Sequence, residues 1–419
     1  MRDIAGTMSA SAPRSDKGVT VGVDEKVRSI TEEPKYAAAI KNWEALWALE
    51  DIGRPLWLFP TSASIMALGT SIASLPQLVQ DKVVQLQFEL AVLNWRDSIG
   101  IDDDYVPQLQ PYGGVTVFAS AFGCEVEYFG HTLPWAHPVI RPEDPPEKVY
   151  ELEPPAVSDG QLGQMLEFTD YFVNETKGRY PISVTDMQGP LDTAYLVWES
   201  SAFMLAMYTN PKEVHHLMRM VTDLIVRYVK EQRARSRQFN PCHYPPFWLP
   251  AGRGVSISDD GLAVISAKLY EEFCLPYVNE LSEEFGGIII HSCGNFVHQF
   301  DNLGKVHNLR GINFGASETP FEAVWERFNG KTAIIPHLGL NNQSGDIHFK
   351  NNREYMEHIL QVKTHNRGLG LISIPGPKDF ADPSALTKFV ERSKATLAKY
   401  SSTPAPVPPG AGATRRPAP

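Results

Sequence analysis

The sequence predicts an α/β fold, a single (β/α)8 TIM barrel with flexible N- and C-terminal tails, on three observations. Eight short, β-branched runs recur along the chain, most of them separated by stretches with 3.6-residue apolar spacing, and several runs end on a polar residue. A doubly wound open sheet with a smaller appended domain is the alternative architecture. The 419 residues are 43% hydrophobic and 21% charged, enough apolar material for one large core.

The first strand is expected at Arg54–Phe59 (RPLWLF), the second around Ser98–Asp103 and the third at Tyr180–Asp186. Further strands are expected at Arg253–Ser258, Gly286–His291, Leu309–Phe314, Lys331–His337 and Leu369–Ile374. Apolar spacing of helical period predicts helices over Gln77–Trp95, Gly160–Asn174, Pro211–Arg235, Ala267–Glu284, Pro320–Phe328, Arg353–Thr364 and Ala385–Tyr400. Asn210 followed by Pro211 is a helix start, a good capping residue before a proline at the first helical position. MLAMY and LMRM, around residues 204–220, read as helix core. Residues 1–33 lack periodicity and read as a mobile arm, 34–400 as the barrel, and 401–419 as a Pro/Ala-rich tail unable to form a core.

Composition narrows the function. Lys and Arg total 38 against 49 Asp and Glu, and a net charge of −11 opposes binding to nucleic acid. No apolar run is long enough to span a membrane, and the N-terminus lacks the apolar segment of a secretory signal. Four scattered cysteines make no disulfide framework. A cytoplasmic enzyme or binding protein is expected; a homodimer is compatible with the sequence.

Strand ends carry the chemistry. Asp186, Ser258 with Asp259 and Asp260, His291, Asn313 and His337 each close a predicted strand, and a barrel gathers such ends on one face. Solvated strand ends would be polar too. The sharpest motif is GGIIIHSCGN, residues 286–295. In a strand, residues i and i+2 share a side, so His291 and Cys293 can present imidazole and thiolate to one ion. Gly294 permits the chain to turn away. That donor pair suits zinc. A buried thiol beside a hydrogen-bonded histidine fits the same letters.

The HSCGN run resembles the H-x-C-G segment of the cobamide-dependent methyltransferases (methylcobamide:coenzyme M type) in the uroporphyrinogen decarboxylase superfamily. Arg54-Pro55 with Trp57 resembles that superfamily's first strand, and IDDDYVP (101–107) its carboxylate-bearing second strand. DMQGPLDTA (186–194), SISDDG (256–261) with YEEFCLPYVNEL (270–281), and IPGP (374–377) resemble later segments in the same order. The resemblance spans about residues 40–400 and implies a (β/α)8 fold.

Two departures bear on the branch. The decarboxylases carry arginines after the first strand to hold carboxylates, whereas no Arg lies between Pro60 and Ala73 here. The methyltransferases take a third zinc ligand from a Cys that aligns with Pro377, which cannot bind a metal. His337 is the first substitute, since IIPH ends a strand as IIIH does, and His243, beside Cys242, the second. A structural role for His337 remains open.

The resemblance therefore implies a zinc-dependent methyl (alkyl) transferase: a small-molecule thiol acceptor, a corrinoid or corrinoid protein as donor, and His291, Cys293 and His337 as ligands. Asp186 and Asn295 would orient substrate or ligands, and Asp259 and Asp260 would act as acid–base groups unless merely solvated. A metal-free carboxy-lyase using Asp103 or Asp186 on a smaller carboxylate, and a non-catalytic corrinoid- or tetrapyrrole-binding barrel, are the alternatives. GHTLPWAHP (130–138) reads as an exposed loop, and PCHYPPFWLPAGRG (241–254) as a substrate roof or rim packing. Gly113-Gly114 and Gly252-Arg253-Gly254 lack the context of a phosphate loop.

Overall fold

A computed structural model of the chain describes residues 28–59, 75–130, 132–243, 247–339, 347–375, 379 and 383–401. Their strands, in chain order, are β1 (Leu56–Leu58), β2 (Glu125–Glu127), β3 (Trp135–His137), β4 (Ile182–Ser183) and β5 (Phe239–Asn240). Then come β6 (Val255–Ser258), β7 (Ile288–Ser292), β8 (Leu309–Gly315), β9 (Ala333–His337) and β10 (Gly370–Ile372). The early helices are α1 (Pro34–Trp47), α2 (Leu75–Gln80), α3 (Lys82–Ile99), α4 (Val117–Ala121), α5 (Gly160–Glu175), α6 (Pro190–Val197) and α7 (Ser200–Thr209). The later ones are α8 (Pro211–Ala234), α9 (Ala267–Phe273), α10 (Leu275–Phe285), α11 (Phe300–Leu303), α12 (Phe321–Phe328), α13 (Asn352–Val362) and α14 (Pro383–Ser401).

β6, β7, β8 and β9 form a parallel sheet in that order. Every residue of β7 is buried, as expected of a strand covered on both faces, where an unbroken isoleucine run replaces alternation. Parallel contacts continue on either side. Ile334 of β9 bridges Leu369, just before β10, and β10 pairs with β1. The Asp104 N–H donates to the Trp57 carbonyl at 2.9 Å, and Leu109 bridges Ile182 of β4. β4 pairs with β5, and the Ser256 N–H of β6 reaches the Pro241 carbonyl at 3.1 Å. Beyond β4, Gln188 bridges Ser258, so the chain after β4 meets β6 directly at its C-terminal end.

Helices cover this frame. α8 buries Val214, Leu217, Met218, Val221, Leu224, Ile225 and Tyr228, a stripe of helical period against the core, while its polar face stays in water. Asp81 caps α3 by accepting the Val83 N–H at 2.8 Å, which divides the expected Gln77–Trp95 helix in two. α9 and α10 likewise replace one predicted helix, broken at Cys274 with Pro276 in the first turn of α10.

Some expectations are corrected. Ser98 and Ile99 end α3, and Gly100, at φ +61, closes it, so the second extended segment begins only at Asp104. Of the stretch read as a mobile arm, residues 28–33 are described, and they are anchored: Ile30 is buried, and the Ser29 hydroxyl donates to Gln238 Oε1 at 2.6 Å. GHTLPWAHP is no loop throughout, because Trp135–His137 pairs antiparallel with Glu125–Glu127. In MLAMY, Ala206 and Met207 are core, but Leu205 and Tyr208 are exposed. Phe247 and Leu249 of the Pro-rich stretch are buried, and the Asn240 amide donates to the Phe247 carbonyl at 2.7 Å, which is packing against the frame. Among the described residues, no helix is long and apolar enough to cross a membrane.

Candidate metal centre

The buried run of β7 delivers His291 to the strand end, in register with Ser258 on β6 and Asn313 on β8. Asn313 is a two-sided linker. Its side-chain amide donates to the Ile335 carbonyl on β9, which turns its Oδ1 toward His291 Nδ1, with both contacts at 2.5 Å. An acceptor at that position assigns the proton to Nδ1 and leaves Nε2 as the nitrogen with a lone pair. Nε2 stands 3.5 Å from Cys293 Sγ, the i+2 relation the sequence predicts. Gly294, at φ +84, then turns the chain, and its N–H donates to Glu318 Oε2 at 2.9 Å.

A third donor comes from the turn after β6. Asp260 Oδ1 accepts the Cys293 N–H at 2.6 Å, and donor atoms of Asp260, His291 and Cys293 all lie within 4.8 Å of one another. A thiol, an imidazole and a carboxylate from adjacent parallel strands fit a tetrahedral zinc with a fourth position for a ligand. Burial pushes the Cys293 thiol well up, and the carboxylates of Asp260 and Glu318 push it further. A thiolate there calls for a cation between it and those carboxylates. The residues present fit a zinc ion.

His337 is not part of this group. It ends β9, buried, with its ring stacked on that of His291 at 5.7 Å between centroids; burial, then the neighbouring His291, lowers its pKa to about 3. Asp260 therefore stands as third donor where His337 was expected. His243 is engaged by β6: Nδ1 lies 2.6 Å from Ser256 Oγ and Nε2 2.9 Å from Ser258 Oγ, and burial lowers its pKa to about 3. Pro377 lies outside the described residues.

The other expected residues separate. Asp186 is half-buried, accepts from Gln188 Nε2 at 3.2 Å and is raised to about 6, by burial first and partly by the charge of Asp260. Asp259 is buried rather than solvated; its Oδ2 accepts the Tyr270 hydroxyl at 2.7 Å, and burial raises its carboxyl. Asn295 is exposed, and its Oδ1 accepts the Val297 N–H at 3.2 Å, a local turn contact. Asp103 sits elsewhere, paired with Arg96 and accepting the Phe59 N–H at 2.8 Å, next to an Asp104–Arg54 pair. Asn313 was noticed only as a strand end; Glu318 and Asp192 carried no local signal, although Asp192 lies inside the DMQGPLDTA segment.

Residues 110–238 match the family model of uroporphyrinogen decarboxylase (URO-D). The fold is similar to that of a methyltransferase from Methanosarcina mazei, with a TM-score of 0.63 at 13% identity, over 87% of this chain and 99% of that one. No curated protein matches the sequence. The URO-D match includes the DMQGPLDTA turn and stops before the H-x-C-G motif, so Asp260, His291 and Cys293 lie outside the matched residues.

Proposed function

We propose that this chain is a member of the URO-D superfamily and a (β/α)8-barrel alkyltransferase, most simply a methyltransferase, that moves a methyl group to a small-molecule thiol at a zinc centre held by His291, Cys293 and Asp260. The observation that carries the reading is the convergence of those three donors at the C-terminal ends of neighbouring parallel strands. Support for the barrel is the run of parallel backbone contacts from β1 through Asp104–Leu109, β4, β6, β7, β8, β9 and β10 back to β1. β5 has no helix between it and β6 among the described residues, and fits as a short filler in the seam between β4 and β6.

Bound zinc would supply the positive charge that stabilises a substrate thiolate near neutral pH. The protein's own part is to place and protect that thiol. Asn313 holds the His291 ring in its Nδ1–H form, and Asp186, half-buried with a raised pKa, takes the thiol proton on a carboxylate oxygen. The sulfur's electron pair then forms the S–C bond while the donor keeps the pair of the bond that breaks. A corrinoid or corrinoid protein is the donor this reading favours. A carboxy-lyase is the second reading, favoured by the URO-D match over residues 110–238.

The test is the metal content of purified protein, with His291→Ala, Cys293→Ser and Asp260→Ala. The expected result is about one zinc per chain in the wild type, lost in the first two variants and weakened in the third. Wild-type protein that stays metal-free after zinc addition and dialysis overturns the reading and turns attention to carboxylate substrates.

A further inference from the structure

Asp192 has no charged partner of opposite sign among the described ion pairs, yet it is more than nine-tenths buried beside two other carboxylates, Asp259 and Asp260. It sits in the first turn of α6. Its two oxygens accept two successive backbone amides, those of Asp260 at 2.6 Å and Gly261 at 2.8 Å. The elements also press together: a Cβ on Gly261 would lie 2.4 Å from Leu191 Cδ2, and the Gly189 N–H donates to the Ser258 carbonyl at 2.6 Å. From Asp260 the connection runs on to the Cys293 amide, so one carboxylate on α6 is two hydrogen bonds from the backbone of Cys293.

We infer that Asp192 is the positioning residue of the metal centre: it pins the Asp260 turn so that the Asp260 carboxylate faces His291 and Cys293. A side chain meeting two adjacent N–H groups needs two acceptor atoms, which a carboxylate has and an amide or alanine lacks. The inference rests on the zinc reading above and goes beyond it, because Asp192 is not a ligand.

The experiment measures zinc affinity of the full chain by chelator competition, with cobalt(II) absorption reporting the ligand geometry, for wild type, Asp192→Asn and Asp192→Ala. Outer partners of metal ligands set affinity by 10–100-fold, so Asp192→Ala is expected to weaken zinc binding by roughly that factor. Asp192→Asn, which keeps one acceptor, should lose less. Should the alanine variant fail to fold, the asparagine variant carries the test. A purely structural role would lower the melting temperature of the metal-free protein and leave the zinc affinity within twofold in both variants, which overturns the inference. A wild type that binds no zinc overturns the zinc reading, and this one with it.

Discussion

His291 can donate to a cation from Nε2 only while Nδ1 keeps its proton, and Asn313 is the residue that decides this. Its amide is committed to Ile335 on one side, which leaves a carbonyl oxygen for the imidazole on the other. Asn313→Ala removes the acceptor and frees the ring to turn. Zinc affinity is expected to fall about 10–100-fold with little change in helix content, measured by chelator competition and circular dichroism. An unchanged affinity would mean that another group sets the tautomer. His291 and Cys293 were legible in the sequence because their relation is local, two residues apart on one strand. Asp260 was visible as a polar strand end, but its contact with Cys293 spans 33 residues, and only the register of β6 against β7 brings it there. Sequence spacing favoured His337, which shares the IIxH pattern; in space its ring stacks on that of His291.

At the scale of elements, α3 carries an acid in its buried face. Glu89 is 6% exposed, and burial raises its pKa to about 8 from an ordinary 4.5. Between those values the folded chain holds a proton that the unfolded chain has released, so stability falls as pH rises from about 4.5 and levels off above about 8. Glu89→Gln keeps the shape without the titration. Its melting temperature is expected to match wild type near pH 4.5 and to exceed it at pH 8.5, and parallel curves for the two proteins would place the slope elsewhere. The same helix shows where sequence reading of the fold stops. Its apolar spacing was legible, yet its expected end at Trp95 falls about one turn before Ile99, because Gly100 rather than a run of polar residues terminates it. β7 was legible because three consecutive isoleucines have no exposed face to occupy. The two residues of β5 and the β2–β3 hairpin were not, since segments that short carry no period.

For the molecule as a whole, the three donors belong to segments joined only through the sheet, so the centre exists in the folded chain and is absent from the unfolded one. A ligand that binds only the folded state stabilises it by about 2.7 kcal/mol at a hundredfold excess over Kd. Unfolding entropy grows with chain length, so in a folded body of this size that energy corresponds to a rise in melting temperature of roughly 3–5 °C. Zinc added to metal-free wild type is expected to give this rise, and a chelator to reverse it. His291→Ala and Cys293→Ser should melt at the same temperature with and without zinc, because each removes a donor without touching the sheet. A zinc-dependent rise of equal size in Cys293→Ser would assign the stabilising ion to other residues, and the thiol at the end of β7 would then be a packing group beside a histidine.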